Sequence, residues 1–181
     1  MASINKRYLS QALASLLLIA GGASEAVAQA VNVNVTGNIT GECRITGGAS
    51  LTIPLGDVLA SSFTAGNPYS TTAGMQNITL TCTASPGIRM TMTGAPYPAT
   101  ASVLALTNAG SPGVATGAGV QLLYSTATTG TPTTLLVRDT PVTIPTGNTV
   151  TVRVGARYYA STIPPTAGAA NATATLTFTV N

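Results

Sequence analysis

The chain has no histidine, no tryptophan and only two cysteines among its 181 residues, and 6% of its residues are charged. Without histidine it lacks the commonest general base, and the side-chain acids after residue 28 are Glu42, Asp57 and Asp139. A zinc site needs three or four His, Cys or carboxylate ligands, and this chain has no histidine and no third cysteine. No catalytic, cofactor-binding or metal-binding residues are therefore predicted, and we do not expect an enzyme.

The positive charge is also sparse, with a formal net charge of +3. The arginines after the N-terminal segment are scattered singly at positions 44, 89, 138, 153 and 157. Nucleic-acid grooves use clustered basic residues, often interleaved with aromatic ones. Nucleic acid is therefore not an expected partner.

The N-terminus has the layout of a secretory signal peptide. Lys6 and Arg7 precede an apolar run that ends at Ile19, and small residues follow from Gly21 to Ala30. Residues 1–28 are predicted to be removed, leaving Gln29 first, and the alternative is cleavage after Ala30. The apolar run is shorter than the roughly 20 residues that a spanning helix needs, so no transmembrane anchor is expected.

An exported chain with an even pair of cysteines more often carries a disulfide than two free thiols, so we expect Cys43 and Cys82 to be bonded. Short alternating apolar and polar runs recur between Gly, Pro, Asn and Ser, which favours an all-β sandwich. These runs are centred on residues 51–55, 78–82, 88–92, 120–124, 134–137, 142–144, 150–156 and 172–180. We expect the disulfide to join the first strand of one domain to the strand that ends at Cys82.

Two alternating runs lie near the two ends of the chain. Val31, Val33 and Val35 alternate with polar residues ahead of Gly37, outside the segment anchored by the expected disulfide. The C-terminal run alternates small or apolar residues with threonine from Ala172 to Val180. We expect that one of these two strands has no place in its own core.

Several short segments, in this order and spacing, resemble the type 1 family of fimbrial subunits assembled by the chaperone-usher pathway. They are Gly37-Asn38-Ile39 running to Cys43, Leu55-Gly56-Asp57-Val58, Ile78 to Cys82, Gly119 to Leu122, Ala156-Arg157-Tyr158-Tyr159, and Ala167 to Ala174. The resemblance covers nearly all of the chain after the signal peptide. It implies an incomplete immunoglobulin-like β-sandwich that is completed by a donor strand from a neighbouring subunit.

The resemblance also implies roles for particular residues. Residues 29–40 are the expected donor-strand extension, overlapping the first strand, and residues 41–181 are the expected pilin domain. The donor residues would be Val31, Val33, Val35 and Ile39. A glycine fourteen positions from the end begins the family's C-terminal signature, and Gly168 lies there. The residues expected to line the groove and contact the chaperone are Gly168, Ala172, Ala174, Leu176, Phe178, Val180 and Asn181.

The implied function is that of a structural pilus subunit that polymerises by donor-strand exchange and supports cell adhesion. The implied partners are other copies of the chain or related pilins, a periplasmic chaperone, an outer-membrane usher and a host or surface receptor. The implied location is the pilus at the cell surface, reached through the periplasm.

Two departures from the family pattern keep alternatives open. Val180 replaces the aromatic residue that many members have next to the end, and the donor extension ahead of Gly37 is short, as in the archaic branch of such pili. The other functions considered are a single-domain carbohydrate-binding adhesin and a self-contained secreted binding domain. The tyrosines are spread along the chain, so we expect no aromatic cluster for a sugar.

Overall fold

The structure is a computed structural model that describes residues 34, 36, 41–98 and 100–180. The described residues form eight strands and one short 3-10 helix, Ala60–Ser62. The strands are β1 (Cys43–Gly47), β2 (Ala73–Cys82), β3 (Ile88–Gly94), β4 (Ala118–Ser125), β5 (Thr134–Leu135), β6 (Val142–Ile144), β7 (Thr149–Ala160) and β8 (Ala174–Val180). Among the described residues, no helix has the length and apolar character needed to cross a membrane. The prediction of an all-β chain is confirmed.

The strands form two antiparallel sheets. One has five strands in the order β1-β2-β7-β4-β5, and the other has three in the order β6-β3-β8. Both sheets contribute to one apolar cluster, with Leu80 and Val152 from the first and Met90 and Ile144 from the second. These side chains are at most 1% exposed. The sheets therefore pack face to face as a sandwich, as the alternating runs predict.

The longest strands show why the sequence forms this core. In β2 the side chains of Ile78, Leu80 and Cys82 are buried while those of Asn77 and Thr81 are exposed. In β7 alternate residues from Val150 to Ala156 are buried. Successive side chains of a strand point to opposite faces, so this two-residue period places one apolar face of each strand in the sandwich.

The disulfide joins directly opposed residues of neighbouring strands. Cys43 in β1 pairs with Cys82 in β2, and their Cα atoms are 4.1 Å apart. β1 is the edge strand of the five-stranded sheet. The predicted bond between the first strand and the strand ending at Cys82 is therefore present, and it fastens an edge of the sandwich.

One expected strand is absent. The alternating run Leu51, Ile53 and Leu55 is half-buried, as a strand would be, but it belongs to no sheet. No backbone–backbone hydrogen bond is formed by residues 48–58 within the described part of the chain. The alternating pattern correctly predicts that one face of this segment is turned to the core. A strand also requires a neighbouring strand to pair with, which the pattern does not report.

Candidate functional site

The C-terminal strand β8 has an unpaired edge. Within the described residues it pairs with β3 on one side and with no strand on the other. Its threonines, such as Thr175 and Thr177, are exposed, whereas Leu176 and Phe178 are half-buried and pack against the main core. The free edge therefore borders an apolar surface and leaves main-chain donors and acceptors unused.

The second wall of the same groove is the segment that includes Leu51, Ile53 and Leu55. These side chains pack against the two apolar clusters of the core. As described above, the backbone of this wall is also unpaired. On both long sides of the groove, the backbone edge that faces the groove thus has no backbone hydrogen-bond partner among the described residues.

The floor of the groove is apolar and belongs to the core of the domain. It includes Ile78, Leu104, Val120, Val154 and Ala156, each at most 6% exposed. The volume of the groove is about 1110 Å³. The apolar side chains at the sides of this channel, such as Ile53 and Phe178, are half-buried, so a bound apolar segment would be stabilised there by withdrawing them from water.

The two ends of the groove differ in the size of their side chains. Near the residues that precede β8, the lining consists of small side chains, among them Ala115, Ala156, Ala170 and Ala172. Towards the end of β8, the lining includes the larger side chains of Leu176 and Phe178. Larger side chains of an inserted segment would fit best at the alanine-lined end, which also contains Leu55 and Tyr158.

Gly168 lies where the chain approaches this end, and its position has a steric reason. A Cβ atom there would lie 2.5 Å from the backbone nitrogen of Ala115 and 2.6 Å from the carbonyl carbon of Val114. The two segments are joined by hydrogen bonds from the N–H of Ala115 to the oxygen of Ala169 and from the N–H of Ala169 to the oxygen of Gly113. Only glycine allows this close approach, which directs the chain into β8.

Tyr158 is the titratable group in the groove whose pKa is shifted. Burial raises the pKa of the Tyr158 hydroxyl above its ordinary value, and the negative charge of nearby Asp57 raises it further. Both residues line the alanine-lined end. The neutral phenol is therefore favoured there, as expected for a surface that is partly withdrawn from water.

Five of the seven residues predicted from the sequence to line the groove and contact the chaperone are among those that line it. Gly168, Ala172, Ala174, Leu176 and Phe178 line the groove, and Val180 ends β8 opposite Ile88. Asn181 and the predicted donor residues Val31, Val33, Val35 and Ile39 lie outside the described residues, as does the predicted signal peptide. Asn34 and Thr36 are described and exposed.

The expectation that the tyrosines form no cluster is wrong. The ring of Tyr159 lies 5.7 Å from that of Tyr69 and 6.3 Å from that of Tyr97, measured between centroids. The guanidinium of Arg157 lies 4.1 Å from the centroid of Tyr69. The Tyr97 hydroxyl also forms a hydrogen bond with Ser161. Since the rings contact each other and Arg157, the cluster joins β7 to two loops that are distant in sequence.

The described residues contain no group of three or more His, Cys, Asp or Glu side chains that could hold a metal ion. Glu42 and Asp139 are each paired with an arginine, Arg44 and Arg138 respectively. The chemistry of the groove is therefore that of an apolar surface flanked by main-chain hydrogen-bonding groups.

Comparisons with known proteins identify a matching family and similar folds. The sequence model of the family described as "Fimbrial protein" matches residues 30–181. No curated protein matches the chain.

Solved structures share the fold at low sequence identity. The CupB6 tip adhesin from Pseudomonas aeruginosa matches with a TM-score of 0.60 and 23% identity over 76% of this chain, which spans only 38% of that longer protein. A chaperone-usher pilus structure matches with a TM-score of 0.58 and 16% identity, covering 84% of this chain and 96% of the other. The P pilus rod subunit PapA matches with a TM-score of 0.53 and 18% identity, covering 77% and 99%.

Proposed function

Because this chain belongs to the fimbrial protein family, and is thus a structural subunit of a surface pilus, we propose that it polymerises by donor-strand exchange. The N-terminal segment of one copy, residues 29–40, enters the groove beside β8 of the next copy. The observation that carries this proposal is the open apolar groove, whose two walls both present unpaired backbone.

An inserted strand would supply what each wall lacks. Its N–H and C=O groups can pair with β8 on one side and with residues 50–56 on the other, while alternate side chains enter the groove. Each buried valine or isoleucine contributes about 1.5–3 kcal/mol, so four of them hold two subunits together without a covalent bond. Filling the edge also removes a template for unspecific aggregation.

The donor segment has side chains on the correct face for this role. In an extended segment Val31, Val33, Val35, Gly37 and Ile39 share one face, and the residues between them are polar or face outward. The three-stranded sheet is antiparallel throughout, and we expect the donor to continue that pattern beside β8. Ile39 then enters the alanine-lined end, and Val31 lies near Phe178.

The same groove needs protection before assembly. The signal peptide, residues 1–28, would deliver the chain to the periplasm, where a chaperone covers the groove until an usher catalyses the exchange. The alternating residues from Ala172 to Val180 would pair with the chaperone, and basic chaperone residues would hold the carboxylate of Asn181. We further propose a non-catalytic role, which the small inventory of acids and the absence of histidine from the sequence support.

Two matched substitutions test the donor face. In Val33→Asp a charge must enter an apolar groove, which costs several kcal/mol, so the full chain without residues 1–28 is expected to remain monomeric. Asn34→Asp places the same charge on the outward face and is expected to polymerise like the wild type. Size-exclusion chromatography and electron microscopy measure the outcome. Polymers of normal length from Val33→Asp would refute the proposal.

A further inference from the structure

Asp57 differs from the other acidic residues of the described chain in having no cationic partner there. Glu42 lies 2.9 Å from the guanidinium of Arg44, and Asp139 lies 3.4 Å from that of Arg138. Asp57 is exposed and forms no ion pair among the described residues. Its carboxylate is therefore available to a cation from another molecule.

The position of Asp57 is at one mouth of the groove. It follows Leu55, which packs against the same apolar cluster as Ala170 and Ala172, the residues just ahead of β8. Its charge acts on Tyr158, a member of the same cluster. A strand bound antiparallel to β8 would leave the groove at this end, because its C-terminal end lies beside the start of β8.

The first cation that follows the donor segment is Arg44. Its side chain is 78% exposed, and its contacts with Glu42 use Nε and one terminal nitrogen, both directed at the same carboxylate oxygen. A guanidinium has five N–H donors, so three remain free on Arg44. It can bind a second carboxylate without releasing the first.

We propose that Arg44 of the donor copy pairs with Asp57 of the acceptor copy when two subunits join. This inference rests on the proposed donor-strand exchange and on the antiparallel direction of the donor. Arg44 is five residues beyond Ile39, a distance of at most about 17 Å in an extended chain. With Ile39 seated at the alanine-lined end, the guanidinium is therefore within reach of the groove mouth.

The pair also resolves an electrostatic conflict at the same contact. Glu42 precedes Arg44 and approaches the groove mouth with it, so the carboxylates of Glu42 and Asp57 would repel each other. Arg44 placed between them attracts both carboxylates and so offsets this repulsion, although the three groups together keep a net charge of about −1. Such a pair mainly favours correct encounter and register of the two copies, with a smaller effect on the final affinity.

Charge reversal tests the proposal in the full chain without residues 1–28. Asp57→Arg and Arg44→Asp are each expected to slow polymerisation about three- to tenfold at low salt, because an attractive contact becomes repulsive. The double variant Asp57→Arg with Arg44→Asp is expected to recover the wild-type rate. Light scattering follows the rate, and 0.5 M NaCl is expected to reduce the differences.

Three controls separate the possible failures. Arg89→Asp reverses an exposed arginine of β3 and is expected to leave the rate unchanged. The milder variants Asp57→Asn and Arg44→Gln remove each charge without reversing it. The thermal midpoint of every monomeric variant is measured, and a midpoint equal to that of the wild type excludes misfolding as the cause of slow polymerisation. If the wild type itself forms no polymer, the proposed function fails. If it polymerises and the reversals match it, or if the double variant is not rescued, the ion pair is refuted.

Discussion

At the scale of single residues, Tyr158 links the groove to the stability of the domain. Its pKa in the folded state is raised above the ordinary value of about 10, first by burial and then by the charge of Asp57. The contribution of the neutral phenol to stability is therefore complete below pH 10 and is lost as the pH rises through the raised pKa.

The raised pKa of Tyr158 predicts how the substitution Tyr158→Phe changes the pH dependence of stability. The thermal midpoint of the wild-type chain is expected to fall more between pH 9 and pH 11 than that of the variant, which has no proton to lose at this position. Differential scanning calorimetry at both pH values measures the difference. Both cysteines are in the disulfide, so no thiol is present to exchange at alkaline pH.

The matched control is Tyr124→Phe. Tyr124 is a half-buried tyrosine of β4 that packs against the core but does not line the groove. This variant is expected to keep the wild-type response to pH. An equal response of Tyr158→Phe and the wild type would mean that the groove does not hold Tyr158 in its neutral form.

Residues also differ in how far the sequence alone reveals them. The disulfide was predictable because two cysteines leave one possible pair and the signal-peptide pattern favours their oxidation. The contact of Tyr69, Tyr97 and Tyr159 was not, because it depends on where two loops meet β7. The close approach of Gly168 to Ala115 likewise arises from tertiary packing, although the family pattern singled out that glycine.

At the scale of elements, an alternating pattern predicts a buried face but not a partner. β8 and residues 51–55 have the same two-residue period, yet β8 pairs with β3 whereas residues 51–55 pair with no strand in the described part of the chain. Periodicity reports which side of a segment faces the core, whereas pairing depends on what lies next to it. The open groove follows from this difference, and composition alone does not reveal it.

Hydrogen exchange tests the fate of these two elements. Two sets of amides are expected to be protected on polymerisation: those of β8 that point away from β3, and those of residues 50–56. Their exchange rates are expected to fall at least about tenfold, because each set gains a strand partner. Amides of β6, which pairs with β3 on the far side of the sheet, serve as the internal control. Mass spectrometry of monomer and polymer provides the comparison.

Two outcomes of the hydrogen-exchange experiment would contradict the proposed pairing, wholly or in part. If the amides of β8 and β6 respond alike, assembly does not use the groove edge. If residues 50–56 alone remain unprotected, the donor pairs with β8 only, and the second wall contributes side-chain contacts without a ladder of hydrogen bonds.

At the scale of the whole molecule, no strand formed by the described residues lies between β8 and residues 50–56. Half-buried apolar side chains such as Leu176 and Phe178 line the groove, so the stability of the monomer is reduced by the apolar area that they leave in water. Residues 29–39 have the length and alternating pattern of the donor strand that we propose, and in that proposal they come from another molecule.

Thermal unfolding of a rearranged chain tests this account most directly. Residues 29–39 are moved to the C-terminus behind a flexible linker, so that they can fold back antiparallel to β8, and the midpoint is compared with that of a chain lacking the segment. Burial of four aliphatic side chains at about 1.5–3 kcal/mol each predicts a rise of about 20 °C or more. Equal midpoints would show that the sandwich is complete without a donor and would contradict the account.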